Sequence, residues 1–145
     1  MIAFKKVIEI RWLDIDVQQH VTRTAYINFS AETWLNWMRS IGYPVNKLAD
    51  IGLNAVVIKD EIEYHREILS TEEQVIVELM FAGANKDYSR WKFISHLYKA
   101  DNKLAAKHTT YGAWIDANTR KVVPAPTDFL KCLVAAPKMY EFEIL

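Results

Sequence analysis

A single cysteine, Cys132, stands among 145 residues, so the chain forms no internal disulfide, and no Cys–Cys or His–Cys pair has zinc-site spacing. Both absences suit a reducing compartment. Its neighbours Leu130, Leu133 and Val134 mark Cys132 as a small buried apolar residue rather than a reactive thiol. Nor is one charge in surplus: 18 lysines and arginines balance 18 aspartates and glutamates. No overall field therefore draws the chain to nucleic acid or to an anionic membrane. No run approaches the ~20 apolar residues of a membrane-crossing helix, and the N-terminal MIAFKKVIEI has no apolar core behind its lysines. A soluble, cytoplasmic protein is expected. Repeats and low-complexity tracts are missing too, and the length suits a single domain over residues 1–145.

What is present is organised around Arg11–Gly42, which joins a strand end, an acidic loop and one long apolar helix. Ile27, Ser30 or Ala31, Trp34, Met38 and Ile41 recur at helical steps, with Phe29 and Trp37 widening the stripe. Thr22 or Thr24 can cap the start, and Gly42 followed by Pro44 ends it. The spacing predicts a helix from about Thr24 to Ile41, long enough to lie along a whole sheet.

Alternation predicts a first strand over residues 4–12 and four more strands at Leu53–Arg66, Gln74–Phe81, Tyr88–Lys99 and Lys103–Ile115, and the connection between Gly42 and Gly52 has room for one more helical turn at Val45–Asp50. Val56, Ile58, Ile62 and Tyr64 are expected to share one face of the second strand. The last two strands form a hairpin through Ala100–Asp101–Asn102, and Thr127 or Asp128 caps a closing helix over Phe129–Ala135. The fold class is therefore α+β, with a five-stranded antiparallel sheet around one long central helix. A sheet covered by a single helix leaves an open face and bare edges, so a homodimer or homotetramer is expected.

Asp14, Asp16 and His20 lie just ahead of the helix. A carboxylate beside the free amides of a helix N-terminus suits acyl chemistry: Asp16 acts as general base or nucleophile, and amides around Thr22–Thr24 receive the oxyanion. The plainer alternative makes Asp14 and Asp16 solvated loop acids and His20 a hydrogen-bonded strut. Asp14, Asp16 and Gln18 echo the start of a calcium loop, but Gln19 and Ala25 stand where it needs Gly and Glu. Ligands are too few for another metal site, so no metal and no cofactor are expected.

The run Arg11–Trp12–Leu13–Asp14–Ile15–Asp16, then Gln19–His20–Val21 and Tyr26, resembles the acidic-loop signature of the hotdog-fold acyl-CoA thioesterases related to 4-hydroxybenzoyl-CoA thioesterase. Lys86–Asp87–Tyr88–Ser89–Arg90–Trp91, Gly112–Ala113–Trp114–Ile115–Asp116 and Arg120–Lys121 resemble later stretches of the same group. The resemblance implies a hotdog, paired subunits with active sites at their interface, and an acyl-CoA or acyl-carrier substrate. It implies Asp16 as the catalytic acid and the Arg23 backbone amide as the group that polarises the thioester carbonyl, with His20 beside them. Lys86, helped by Asn85 and Arg90, would meet the phosphates of coenzyme A, and Tyr26 would line the acyl pocket.

Many relatives have Gly where this chain has Gln19, and a φ > 0 turn there would strain Gln19 by ~1 kcal/mol or redirect the loop. Thioester hydrolysis is the leading expectation, and a non-catalytic dimeric acyl-binding module is the alternative. An enoyl-thioester hydratase ranks last, because Asp16–Val17–Gln18–Gln19–His20 lacks the Asn-Pro of that motif.

Overall fold

In the computed structural model, which describes residues 3–136 and 138–145, six strands form one sheet. They are β1 (Phe4–Glu9), β2 (Leu53–Tyr64), β3 (Gln74–Ala84), β4 (Arg90–Tyr98), β5 (Leu104–Asp116) and β6 (Lys138–Ile144). The order β1-β3-β4-β5-β2 is antiparallel throughout, and β6 runs parallel to β3 beyond the end of β1. The expected five-strand sheet is thus corrected to six. The extra strand is signalled by Phe142 and Ile144 alternating with Glu141 and Glu143, a short pattern after the closing helix. Lys92 on β4 ties it in through Glu143 at 2.6 Å.

The first strand is also shorter than its alternation promised. β1 stops at Glu9, and a 3₁₀ turn over Trp12–Asp14 leaves Trp12 86% exposed instead of aligned with Ile8. The cause is local: Arg11 and Asp14 bond each other across the turn, and that pulls the chain out of the sheet.

Helix α1 (Arg23–Ser40) packs on β3, β1, β4 and β5, and α2 (Val45–Asp50) and α3 (Thr127–Val134) extend the helical layer beyond α1 alone. Thr22 caps α1 by accepting from the Ala25 amide at 3.2 Å. At the other end Gly42 takes φ 86°, the Gly42 amide donates to Arg39 and the Tyr43 amide donates to Met38. These paired bonds close the last turn, and the positive φ explains why glycine stands there. The buried stripe is Ala25, Tyr26, Phe29, Ser30, Thr33, Trp37 and Met38, so it is rotated from the expected one, and Ile27 is 38% exposed. Each large apolar side chain so buried contributes about 1.5–3 kcal/mol over leaving it in water. Among the described residues no helix is long and apolar enough to cross a membrane.

A β-bulge at Ile58 shifts the β2–β5 register between Val57 and Lys59. Side chains that face α1 are odd-numbered before it (Ala55, Val57) and even-numbered after it (Asp60, Ile62, Tyr64). Val56 and Ile58 therefore do not share the inner face with Ile62 and Tyr64, contrary to strict alternation, because one inserted residue reverses the pleat. The bulge also turns Asp60 onto the face of β5 that carries His108.

Candidate active site

The loop between β1 and α1 divides the labour of its two acids. Asp14 is buried, 1% exposed, and its carboxylate accepts from the Arg11 amide at 2.8 Å and from the guanidinium at 3.1 Å. It is a brace and not a solvated loop acid, and its charge raises the Arg11 pKa above the ordinary value, first through that hydrogen bond. Its own carbonyl accepts from the Thr22 amide at 2.8 Å, which sets the entry to α1.

Asp16 is exposed, and its Oδ1 accepts from the Gln18 and His20 amides at 2.9 and 3.2 Å. Those bonds aim the carboxylate while Oδ2 has no partner among the described residues. Gln19 takes φ 65°, so the loop keeps a left-handed residue without glycine there. The strain, ~1 kcal/mol for a residue with a Cβ, is offset by two bonds to Ser70, amide to carbonyl at 2.8 Å and hydroxyl to amide oxygen at 3.0 Å. The loop therefore closes without the glycine.

Asp16, His20, Thr22, Arg23 and Tyr26 come together in one open cleft of about 470 Å³. The amides of Arg23 and Thr24, in the first turn of α1, take no backbone partner among the described residues. They are the orphan donors of a helix start, and Arg23 lines the same cleft as Asp16. His20 Nε2 lies 3.5 Å from Glu67, and the Tyr26 ring meets Tyr64 edge-on with centroids 5.2 Å apart. Burial raises the Tyr26 hydroxyl above the ordinary tyrosine range, so it stays protonated and neutral. Tyr64, at the end of β2, and His65, Arg66 and Glu67 beyond it also line the cleft, although none of the four is a site residue on sequence grounds. Their only sequence signal is a polar run at the end of a strand, which any loop shares.

Asn85, Lys86 and Arg90 are not brought to this cleft in one chain. They occupy the β3–β4 turn, whereas the Asp16 loop adjoins the other end of β3, where Glu9 pairs with Gln74. The 11 residues of β3 separate the two, roughly 35 Å at strand rise. Asn85 closes the turn itself: its side-chain nitrogen donates to Ser89 and its oxygen accepts from the Arg90 amide, both at 2.8 Å. Lys86 is exposed. Cys132 is half-buried, its thiol 3.8 Å from the Ile41 carbonyl. Among the described residues, no three His, Cys, Asp or Glu side chains gather as a metal site.

Residues 10–133 match the family model of the thioesterase-like superfamily. The chain belongs to that superfamily. Its fold is the hotdog, and solved structures of the same shape include a hypothetical protein from Aquifex aeolicus, 22% identical with TM-score 0.81, covering 90% of this chain and 98% of that one. A 1,4-dihydroxy-2-naphthoyl-CoA thioesterase from Synechocystis is 16% identical with TM-score 0.81 over 91% of this chain and 96% of that one. A hypothetical protein from Staphylococcus aureus in complex with CoA is 19% identical with TM-score 0.81, over 93% and 85%. Comparison with curated protein sequences gave no significant match.

Proposed function

We propose that the Asp16 cleft hydrolyses the thioester of an acyl-CoA or acyl-carrier substrate. One observation carries the reading: a carboxylate fixed by two amides shares a cleft with Arg23, whose first-turn amide takes no backbone partner among the described residues, in a chain of the thioesterase-like superfamily. The thioester carbonyl would accept from the Arg23 amide, whose dipole stabilises the developing oxyanion. As general base, Asp16 takes a proton from water while the hydroxide adds to the carbonyl carbon. Collapse of the tetrahedral oxyanion then breaks the C–S bond, and the thiolate leaves and is protonated. As nucleophile, the same carboxylate would form a mixed anhydride that water opens. His20 contributes its amide to Asp16, and its imidazole, beside Glu67, lines the approach.

A second copy of the chain would complete the site. Among the described residues β2 is an unpaired sheet edge with Val57 and Ile58 each 58% exposed, and the loop carries Trp12, Leu13 and Val17, 86%, 84% and 97% exposed. Antiparallel β2-to-β2 pairing would cover that edge and bring the partner's β3–β4 turn to the Asp16 end of the sheet. Lys86, with Arg90, would then reach coenzyme A phosphates that one chain alone holds too far away. The test is turnover of an acyl-CoA panel by wild type and Lys86→Ala. A rise in KM for CoA thioesters, with little change for a truncated pantetheine thioester, is expected; equal effects on both would remove Lys86 from the phosphate role.

A further inference from the structure

The face of the sheet turned away from α1 carries a row of charges that crosses β1, β3, β4, β5 and β2. Lys5 stands in register with Glu78, Glu78 with His96, His96 with Lys107, and Lys107 with Glu63. Their chain neighbours Val77, Leu97, Ala106 and Ile62 belong to the core, so alternation puts the charged side chains on the outer face. Lys5 holds Glu78 at 3.0 Å, Lys107 lies 3.9 Å from Glu63, and the Tyr98 hydroxyl donates to Glu78 at 3.3 Å. The half-buried Ile76, Tyr98 and Met80 flank the row.

From β1 to β2 the row runs plus, minus, imidazole, plus, minus. Reversed, every charge changes sign and His96 keeps its place. A second sheet turned over about a two-fold axis along β4 presents the reversed row. Lys5 would then meet Glu63 of the second copy, Glu78 would meet Lys107, and His96 would meet His96. An axis across the strands would instead set Lys5 on Lys5 and Glu78 on Glu78. The charges thus specify both the occupant and its orientation. Packed sheets stand ~10 Å apart, within reach of facing lysine and glutamate side chains. The matched face covers on the order of 600 Å² per copy by strand spacing and rise, against roughly 800 Å² per partner in a standard interface. Lys92, also on β4, already holds Glu143 at 2.6 Å.

We propose that this outer face docks on the outer face of a second copy, with His96 on the two-fold axis, and that a proton on His96 releases it. The inference requires neither catalysis by Asp16 nor pairing through β2. Glu78 from β3, Lys107 from β5 and Tyr98 from β4 surround the imidazole. Burial and then Lys107 push it below the ordinary histidine value, against the pull of Glu78, so His96 is neutral near pH 7. Docking buries the ring further and favours the neutral form again. Association is therefore strongest above the His96 pKa and is lost as pH falls below 6.5, where two imidazolium ions would share the axis.

Sedimentation of the full chain tests this with two charge swaps. Lys5→Glu with Glu78→Lys, and Glu63→Lys with Lys107→Glu, each keep the ion pair inside the chain but set like charges against each other between copies. At about pH 7.5, with His96 neutral, each double variant should sediment at half the mass of wild type with an unchanged circular dichroism spectrum. Any association left in them reports the β2 edge alone. Mixed in equal amounts the two complement each other, and the full mass should return. At about pH 5 wild type should fall to half its mass, whereas His96→Gln stays associated. Full mass in either double variant, no recovery on mixing, a wild type that holds together at the lower pH, or His96→Gln dissociating beside it would overturn the proposal.

Discussion

At the scale of single residues, the loop ahead of α1 separates a buried, bonded acid from an exposed one. Asp14 is buried against Arg11 and Asp16 faces the cleft, although the two are alike in sequence. Thr22→Ala should cost about 1 kcal/mol of stability by removing the cap of α1, read as a fall in unfolding midpoint. Gln19→Gly relieves a left-handed conformation and should add up to about 1 kcal/mol; a loss would show that the Ser70 hydroxyl bond to the Gln19 side chain outweighs the strain. Glu72 supplies the pH dependence. Its burial works to raise the carboxyl, but the Leu69 amide, Lys99 and the Ala100 amide outweigh it and hold Glu72 below the ordinary value of 4.5. A depressed folded pKa gives stability that is complete above the unfolded value and lost as pH falls through the folded one. Stability should therefore drop more steeply below about pH 4.5 in wild type than in Glu72→Gln, as denaturant melts at several pH values would show.

How much of the site the sequence disclosed follows the same local logic. Asp16, Thr22 and Arg23 were legible because a loop acid and a helix cap are short-range features. Tyr64, His65, Arg66 and Glu67 were not, since they reach the cleft only through the pairing of β2 with β5.

At the scale of elements, alternation disclosed β2 to β5 and helical spacing disclosed α1, because their signals lie within single segments; α3 was legible from the prolines ahead of it, although Pro126, and not Thr127 or Asp128, stands at its N-cap. What alternation could not show is the bulge at Ile58, which reverses the inner face of β2 and turns Asp60 toward His108. Nor could it show the rotation of α1, whose buried stripe is set by the sheet beneath it. Gly112 has a reason of the same kind. A Cβ there would lie 2.2 Å from the Trp91 ring and 2.5 Å from the Val56 carbonyl, across both neighbouring strands. Gly112→Ala should destabilise the protein by about 1–3 kcal/mol through overpacking. A variant that melts with wild type would show that Trp91 moves aside freely.

At the scale of the whole molecule, the proposed coenzyme A site needs a second copy of the chain. In one chain the Asp16 loop and the Lys86 turn sit at opposite ends of β3, and the β2 edge is bare. Wild type should sediment as a dimer or larger. Ile58→Lys places a charge on the exposed edge and should shift it toward monomer and depress turnover together; a monomeric variant with full turnover would place the whole site in one chain.

The central claim is that Asp16 performs hydrolysis in the cleft at the start of α1. Its most direct test is thiol release from a panel of aliphatic and aromatic acyl-CoA thioesters, with wild type and Asp16→Asn side by side and matched circular dichroism spectra. Turnover of at least one member is expected, falling at least ~100-fold in the variant. A variant that cleaves the thioester as fast as the parent would contradict it.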